Sequence, residues 1–113
     1  MTESEFLDLA DATLSAIEAA YDRLFEQDML DVECSRSGNV LEIEFVHNGS
    51  KVIVNSQAAM KEIWVAARSG GFHYRQVDGK WRDTRDNTEL FEALTAITAH
   101  QSGGAPVVIS EQV

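Results

Sequence analysis

A two-layer α+β sandwich is the fold this sequence predicts, with an N-terminal and a C-terminal helix packed on one face of a five- to six-stranded antiparallel sheet. Apolar residues recur at helical spacing over residues 1–26, alternate with polar ones over residues 30–84, and return to helical spacing over residues 87–102. The segments between strands are too short for helical crossovers, so neighbouring strands run antiparallel. A length of 113 residues and an apolar content of 44% fit one domain, residues 1–113, with a single core.

Thr2-Glu3-Ser4-Glu5 has capping-box spacing, in which the Thr2 hydroxyl and the Glu5 carboxylate satisfy free N–H groups at a helix start. At about 100° per residue, Phe6, Leu9, Ala10, Leu14, Ile17, Ala20, Tyr21 and Leu24 then share one side of the helix. Asp8, Asp11, Glu18, Asp22 and Glu26 share the other. Thr13 falls within the dry face, where its hydroxyl can bond back to a carbonyl one turn earlier.

Period two takes over near residue 30. Leu41, Ile43 and Phe45 alternate with Glu42 and Glu44, and Val52 and Val54 resume the pattern after a turn at His47-Asn48-Gly49-Ser50. Further strands are expected at 63–66, 72–77 and 80–83, with turns at Ser69-Gly70-Gly71 and Asp78-Gly79. If Ile63 and Val65 face the helices, Trp64 faces outward; a register slip of one residue puts it in the core instead. An outward Trp is a common partner anchor. Trp81 reads as core. Asp86-Asn87-Thr88-Glu89 has the spacing of a second capping box, and Leu90, Phe91, Leu94, Ile97 and Gln101 mark the helix expected over 87–102, ending before Gly103-Gly104. In the tail, 103–113, Pro106-Val107-Val108-Ile109 is apolar enough to be expected against the helix pair.

The formal charge is −10, and it is unevenly spread. Ten of the 19 acidic residues lie between Glu3 and Glu33, accompanied by one base, Arg23. Carboxylates at i and i+4, such as Glu18 with Asp22 and Asp22 with Glu26, repel one another on adjacent turns. A hard cation such as Fe²⁺, Fe³⁺, Mn²⁺ or Ca²⁺ would relieve that repulsion, since only oxygen ligands are offered. Asp28, Asp31 and Glu33 continue the patch into the first strand. The alternative is a solvated face that only keeps the protein soluble. The acidic field argues against nucleic acid as a partner. The single cysteine, Cys34, excludes an internal disulfide and any multi-cysteine metal cage, and reads as a buried or half-buried strand residue. No apolar run reaches bilayer-spanning length and the N-terminus is acidic, so a cytoplasmic protein outside the membrane is expected. His47, His73 and His100 are scattered, there is no phosphate-binding Gly-rich loop, and no nucleophile has an evident base, so no catalytic residue is assigned.

Asn55 to Tyr74, NSQAAMKEIWVAARSGGFHY, with Trp81 and Asp83 after it, resembles the frataxin family in its bacterial CyaY form. The matching features are an Asn-x-Gln turn (Asn55, Gln57), Ile63-Trp64 on a central strand, and Gly71 before the aromatic strand holding Phe72 and Tyr74. The opening SEFLDLADATLSAIE is also similar, and the likeness spans essentially the whole chain. The resemblance implies a non-enzymatic protein of iron-sulfur cluster assembly that binds iron weakly and associates with the cysteine desulfurase and the scaffold. Carried over by position, Glu18, Asp22, Glu26, Asp28, Asp31 and Glu33 would hold iron. Asn55, Gln57, Trp64 and His73 would face a partner. A monomer without metal is expected, with iron-induced oligomers as a further state. Ala19 and Arg23 stand where relatives tend to carry acids, Leu7 replaces a polar or histidine residue, and Ala59 takes the usual proline position of the turn before Ile63. The rival reading is a pure interaction protein whose metal binding is incidental. A ferroxidase is the third, and an exposed single helix scaffolds iron pairs poorly.

Overall fold

Thr2 opens the first helix as its spacing to Glu5 predicts. In the computed structural model of the chain, which describes residues 1–111, the Glu5 N–H donates to Thr2 Oγ1 (3.1 Å) and the Thr2 N–H donates to Glu5 Oε1 (2.8 Å). The helix, α1, runs Glu3–Glu26 and buries Phe6, Ala10, Leu14, Ile17, Ala20 and Tyr21. Leu9 and Leu24, expected on the same face, are half-buried at its margins. Thr13 is buried and donates to the Leu9 carbonyl (2.8 Å), which keeps the dry face free of an unpaired hydroxyl.

Six strands follow: β1 Val32–Ser37, β2 Val40–Phe45, β3 Ser50–Gln57, β4 Glu62–Ala67, β5 Gly70–Val77 and β6 Lys80–Asp83. They form one antiparallel sheet in the order β1-β2-β3-β4-β5-β6, so each strand pairs with its chain neighbour. Leu41, Ile43, Phe45, Val52, Val54, Ile63, Val65, Tyr74 and Trp81 all point to the helix side and are buried. Trp81 packs edge-on to Phe6 (6.0 Å between centroids, 82° between planes) and donates its indole N–H to Thr13 Oγ1 (3.0 Å). One hydroxyl on α1 therefore anchors the far edge of the sheet.

One turn and one helix start differ from expectation. The β4–β5 turn is Arg68-Ser69, because Ala67 pairs with Gly70 and the glycines already belong to β5. The β5–β6 turn is Asp78-Gly79 as expected, and both residues take positive φ (51° and 80°), which a two-residue turn of type I′ requires. The second helix, α2, runs Leu90–Gln101 rather than starting at residue 87. Asp86 does not cap it. Its carboxylate accepts from the Thr88 N–H (2.9 Å) in a local turn, Asn87 takes φ 66°, and the chain then crosses back before Glu89 caps the N–H groups of Phe91 and Glu92. Two capping candidates three residues apart compete, and the left-handed Asn87 makes helix impossible between them.

Tyr21 and Thr98 join the helices by a buried hydroxyl pair (2.8 Å). The described part of the tail, 103–111, packs as expected, with residues 112 and 113 outside the described residues: Val107 and Ile109 are buried, the Ile109 N–H donates to Thr95 Oγ1 (2.9 Å), and Arg23 donates to the Ser110 carbonyl (3.3 Å). The tail is thereby tied to both helices.

Candidate functional site: an acid edge and an open sheet face

The acids of α1 and the first strand reach the surface by three local devices. Glu18, Asp22 and Glu26 follow the helical repeat opposite the buried stripe, with Glu18 half-buried and the other two exposed. Asp28 sits where the helix ends. The Met29 N–H donates to the Leu24 carbonyl (2.9 Å) and the Asp28 N–H to the Phe25 carbonyl (3.1 Å), which is a Schellman ending with Asp28 in the left-handed position at φ 59°. Glycine usually fills that place; here a carboxylate does, projecting from the turn before Leu30 drops into the core. Asp31 and Glu33 are exposed, with strand parity turning Val32 and Cys34 toward the helices and Glu33 toward the open face.

Register adds a residue that alternation alone left unassigned. Glu33 is the direct cross-strand partner of Glu44, and two like charges so placed repel. The acid edge thus continues around β1 onto the open face. Its base-paired limits are Asp11, held by Arg36 of β1, and Glu42, which pairs with Lys51 at 3.2 Å. Among the described residues, none of Glu18, Asp22, Glu26, Asp28, Asp31 and Glu33 forms an ion pair with a base of the chain. Nor do any three His, Cys, Asp or Glu side chains among the described residues converge closely enough to cage one ion. The donor set is all carboxylate oxygen, exposed except at half-buried Glu18, and without an internal ion pair. Such a set fits loosely held hard cations and lacks the geometry of a tight site.

Cys34 reports on this edge. Its thiol is pushed up to about 12, first by burial and then by the Asp22 and Glu18 carboxylates, so both acids act on the β1 side of the helix. Next to the acids, exposed Phe25 and Met29 line a shallow groove with Asp28 and Asp31. Neither apolar residue stood out in the sequence, because each lies outside the helical stripe.

Asn55, Trp64 and His73 form one row across β3, β4 and β5 on the open face. Trp64 is half-buried there, and the buried Ile63 and Val65 flanking it exclude the slipped register. Its ring stacks on His73, with centroids 4.3 Å apart and planes 7° apart. Gln57 joins the row through a hydrogen bond from its Nε2 to Asn55 Oδ1 (2.8 Å). The four residues are therefore neighbours. What the sequence hid is Glu62, which parity sends to the open face yet which is only 2% exposed. Trp64 Nε1 donates to Glu62 Oε1 (2.8 Å), Arg75 donates twice to Oε2 (2.6 and 3.0 Å), and His73 Nδ1 lies 3.5 Å from Oε1. Burial pushes the Glu62 carboxyl up, but the bonds from Trp64 and Arg75 and the nearby positive groups outweigh it and hold the group below its ordinary value. Arg82 stands beside Arg75 in the next strand, so the open face grades from acidic at β1 and β2 to basic at β5 and β6.

A six-stranded antiparallel meander with both helices on one face, an acid edge and an outward tryptophan defines a frataxin-type α+β sandwich. The chain belongs to that family: the frataxin-like domain matches residues 1–104. It is 60% identical over 111 residues, 98% of each chain, to the iron-sulfur cluster assembly protein CyaY of Janthinobacterium sp. (strain Marseille). It is 59% identical, again over 98% of both chains, to the protein of the same name from Herminiimonas arsenicoxydans. In structure it superposes on a frataxin from Psychromonas ingrahamii of the CyaY family, with a TM-score of 0.81, 31% identity and full coverage of both chains. A trimeric yeast frataxin, complexed with ferrous iron, matches at a TM-score of 0.70 and 25% identity over 82% of this chain and 83% of that one. Among the described residues, no helix is long and apolar enough to cross a membrane.

Proposed function

We propose that this protein serves iron-sulfur cluster assembly as a non-enzymatic, cytoplasmic iron-binding regulator. Ferrous or ferric iron is held weakly as cargo on Glu18, Asp22, Glu26, Asp28, Asp31 and Glu33, and other hard divalent cations compete for the same oxygens. The single observation that carries this reading is the run of carboxylates along α1 and β1 left without internal ion pairs. Charges that the fold does not neutralise itself are available to an external cation or a basic surface. Close relatives named for iron-sulfur cluster assembly and a yeast family member in complex with ferrous iron support the same reading.

The same edge docks to a basic patch on the cysteine desulfurase, with Phe25 and Met29 as its apolar anchors, and the Asn55, Gln57, Trp64 and His73 face meets the scaffold. Iron and desulfurase then compete for one surface, and both contacts weaken in salt, because exposed charges more than about 8 Å apart are screened at physiological ionic strength. The chain is monomeric without metal in this scheme, and iron shared between acid edges is the route to oligomers.

The absence of a three-ligand cage among the described residues favours a second reading, in which the acids serve only the desulfurase and metal is incidental. An anaerobic Fe²⁺ titration followed by residue-resolved NMR separates the two. Broadening confined to residues 18–33, together with iron-dependent regulation of the desulfurase, supports the first reading. Broadening spread over the whole surface, or regulation indifferent to iron, overturns it.

A further inference from the structure

On the helix side of the sheet, between β5, β6 and α2, lies a cavity of about 340 Å³ that takes no part in the acid edge or the open face. Phe72, Ala93, Ala96 and Ile97 give it apolar walls. Two deeply buried polar groups also line it, side by side as cross-strand partners: Tyr74 and Asp83, 1% and 6% exposed. Among the described residues, no fully enclosed side-chain oxygen or nitrogen lacks a hydrogen-bond partner. The Tyr74 hydroxyl makes no hydrogen bond, so the sliver of Tyr74 that remains open includes that oxygen, and the cavity is where Tyr74 opens. The same holds for one oxygen of Asp83. Its Oδ1 accepts from the N–H groups of Arg85 (2.7 Å) and Asp86 (3.2 Å), which leaves Oδ2 as an acceptor without a partner.

Two carboxylates, Asp83 and Asp86, stand in the cavity wall, with His100 as the one basic side chain beside them. Burial raises the Tyr74 phenol, and Asp83, Asp86 and Glu89 raise it further, against a smaller opposing effect of Arg85. The Arg85 guanidinium is itself engaged, over the Phe72 ring (5.7 Å) and on the Gly71 carbonyl (2.7 Å). An apolar pocket of this size with two convergent, buried polar groups is the usual form of a small-molecule site.

We propose that the cavity binds a small organic cation, an ammonium, amidinium or guanidinium head on a short apolar body. The head takes the free Asp83 oxygen and the Tyr74 hydroxyl, and the body lies against Phe72 and Ile97. Charge-assisted bonds to a desolvated carboxylate supply the selectivity for a positive head.

Benzamidine and its neutral counterpart benzamide are suitable probes, titrated into the full chain and followed by residue-resolved NMR. Benzamidine should shift Phe72, Tyr74, Ala93 and Ile97 saturably, with a dissociation constant on the order of 1 mM for so small a ligand. Benzamide should bind about tenfold more weakly, and Asp83→Asn should lose about tenfold for benzamidine. An Asn Oδ1 can still accept both turn N–H groups, so this variant keeps its fold, which its melting curve checks. Ala96→Phe, at an exposed helix position, should fill the cavity and abolish the shifts. Shifts confined to residues 18–33, equal binding of benzamide, or undiminished binding in Ala96→Phe would each overturn the proposal.

Discussion

Trp64 lies flat on His73, and the Glu62 carboxylate beneath them accepts the indole N–H while holding Arg75 from the other side. The outward tryptophan is thus fixed before any partner arrives, which lowers the ordering cost of using it as an anchor. Trp64→Ala should leave the fold intact, since the residue is only half-buried, yet weaken scaffold binding by at least about 2 kcal/mol, the scale of an aromatic hot spot. Calorimetry of the variant with the scaffold checks this, and unchanged affinity removes Trp64 from the interface.

Glu62 should make the protein sensitive to acid. Its folded value lies below the ordinary glutamate value of 4.5, so its stabilising contribution is complete above that value and is lost as pH falls through the lowered one. Glu62→Gln should cost about 1–3 kcal/mol at neutral pH, because the Arg75 pair loses its charge, and should flatten the acid limb of the stability curve below pH about 4.5. Denaturant melts at a series of pH values read both effects. A variant with the parent's acid limb would show that another carboxylate sets it.

Glu18 and Asp22 act on Cys34 across the gap between α1 and β1, and the thiol makes their field measurable. With its value pushed up to about 12, the folded protein should react only slowly with thiol reagents at pH 8, and unfolding in denaturant should release the rate of an ordinary cysteine. Glu18→Gln with Asp22→Asn should lower the thiol value and speed labelling, while also weakening cation binding. Because the folded value is raised, Cys34 contributes stability below the unfolded value of about 8.5 and loses it as pH rises toward the folded one. Labelling that ignores the double substitution would mean the carboxylates point away from β1.

The sequence made α1 legible because a 24-residue helix repeats its apolar stripe often enough to fix both faces. Trp64's side is legible by parity, given Ile63 and Val65 in the core. Glu62 is not, because its parity reads as a surface charge, and only the closing of Trp64, His73 and Arg75 over it makes the group buried. Glu44 needed strand register, which alternation does not supply, before it met Glu33. The start of α2 is not legible, because Asp86 and Glu89 both offer capping chemistry and only the left-handed backbone at Asn87 decides between them. Asp28 reads in the sequence as one more acid of the patch, and nothing marks it as the residue that ends α1, since a Schellman ending is expected to show glycine.

Asp28 is where stability and cation binding pull apart. It holds a left-handed backbone at φ 59°, a conformation that an aspartate tolerates but glycine adopts without steric cost. Asp28→Gly should preserve the Met29-to-Leu24 and Asp28-to-Phe25 backbone bonds that end α1, while removing one negative charge from a crowded edge. The expected gain is about 0.5–1 kcal/mol, partly offset by the greater freedom of glycine in the unfolded chain. If Asp28 belongs to the iron-holding set, the same substitution should lower affinity for Fe²⁺ and for the desulfurase while raising the melting temperature. Measured side by side, a rise in Tm with unchanged iron affinity would remove Asp28 from the site. A fall in Tm would show that the Asp28 side chain stabilises the turn by a contact stronger than the backbone cost.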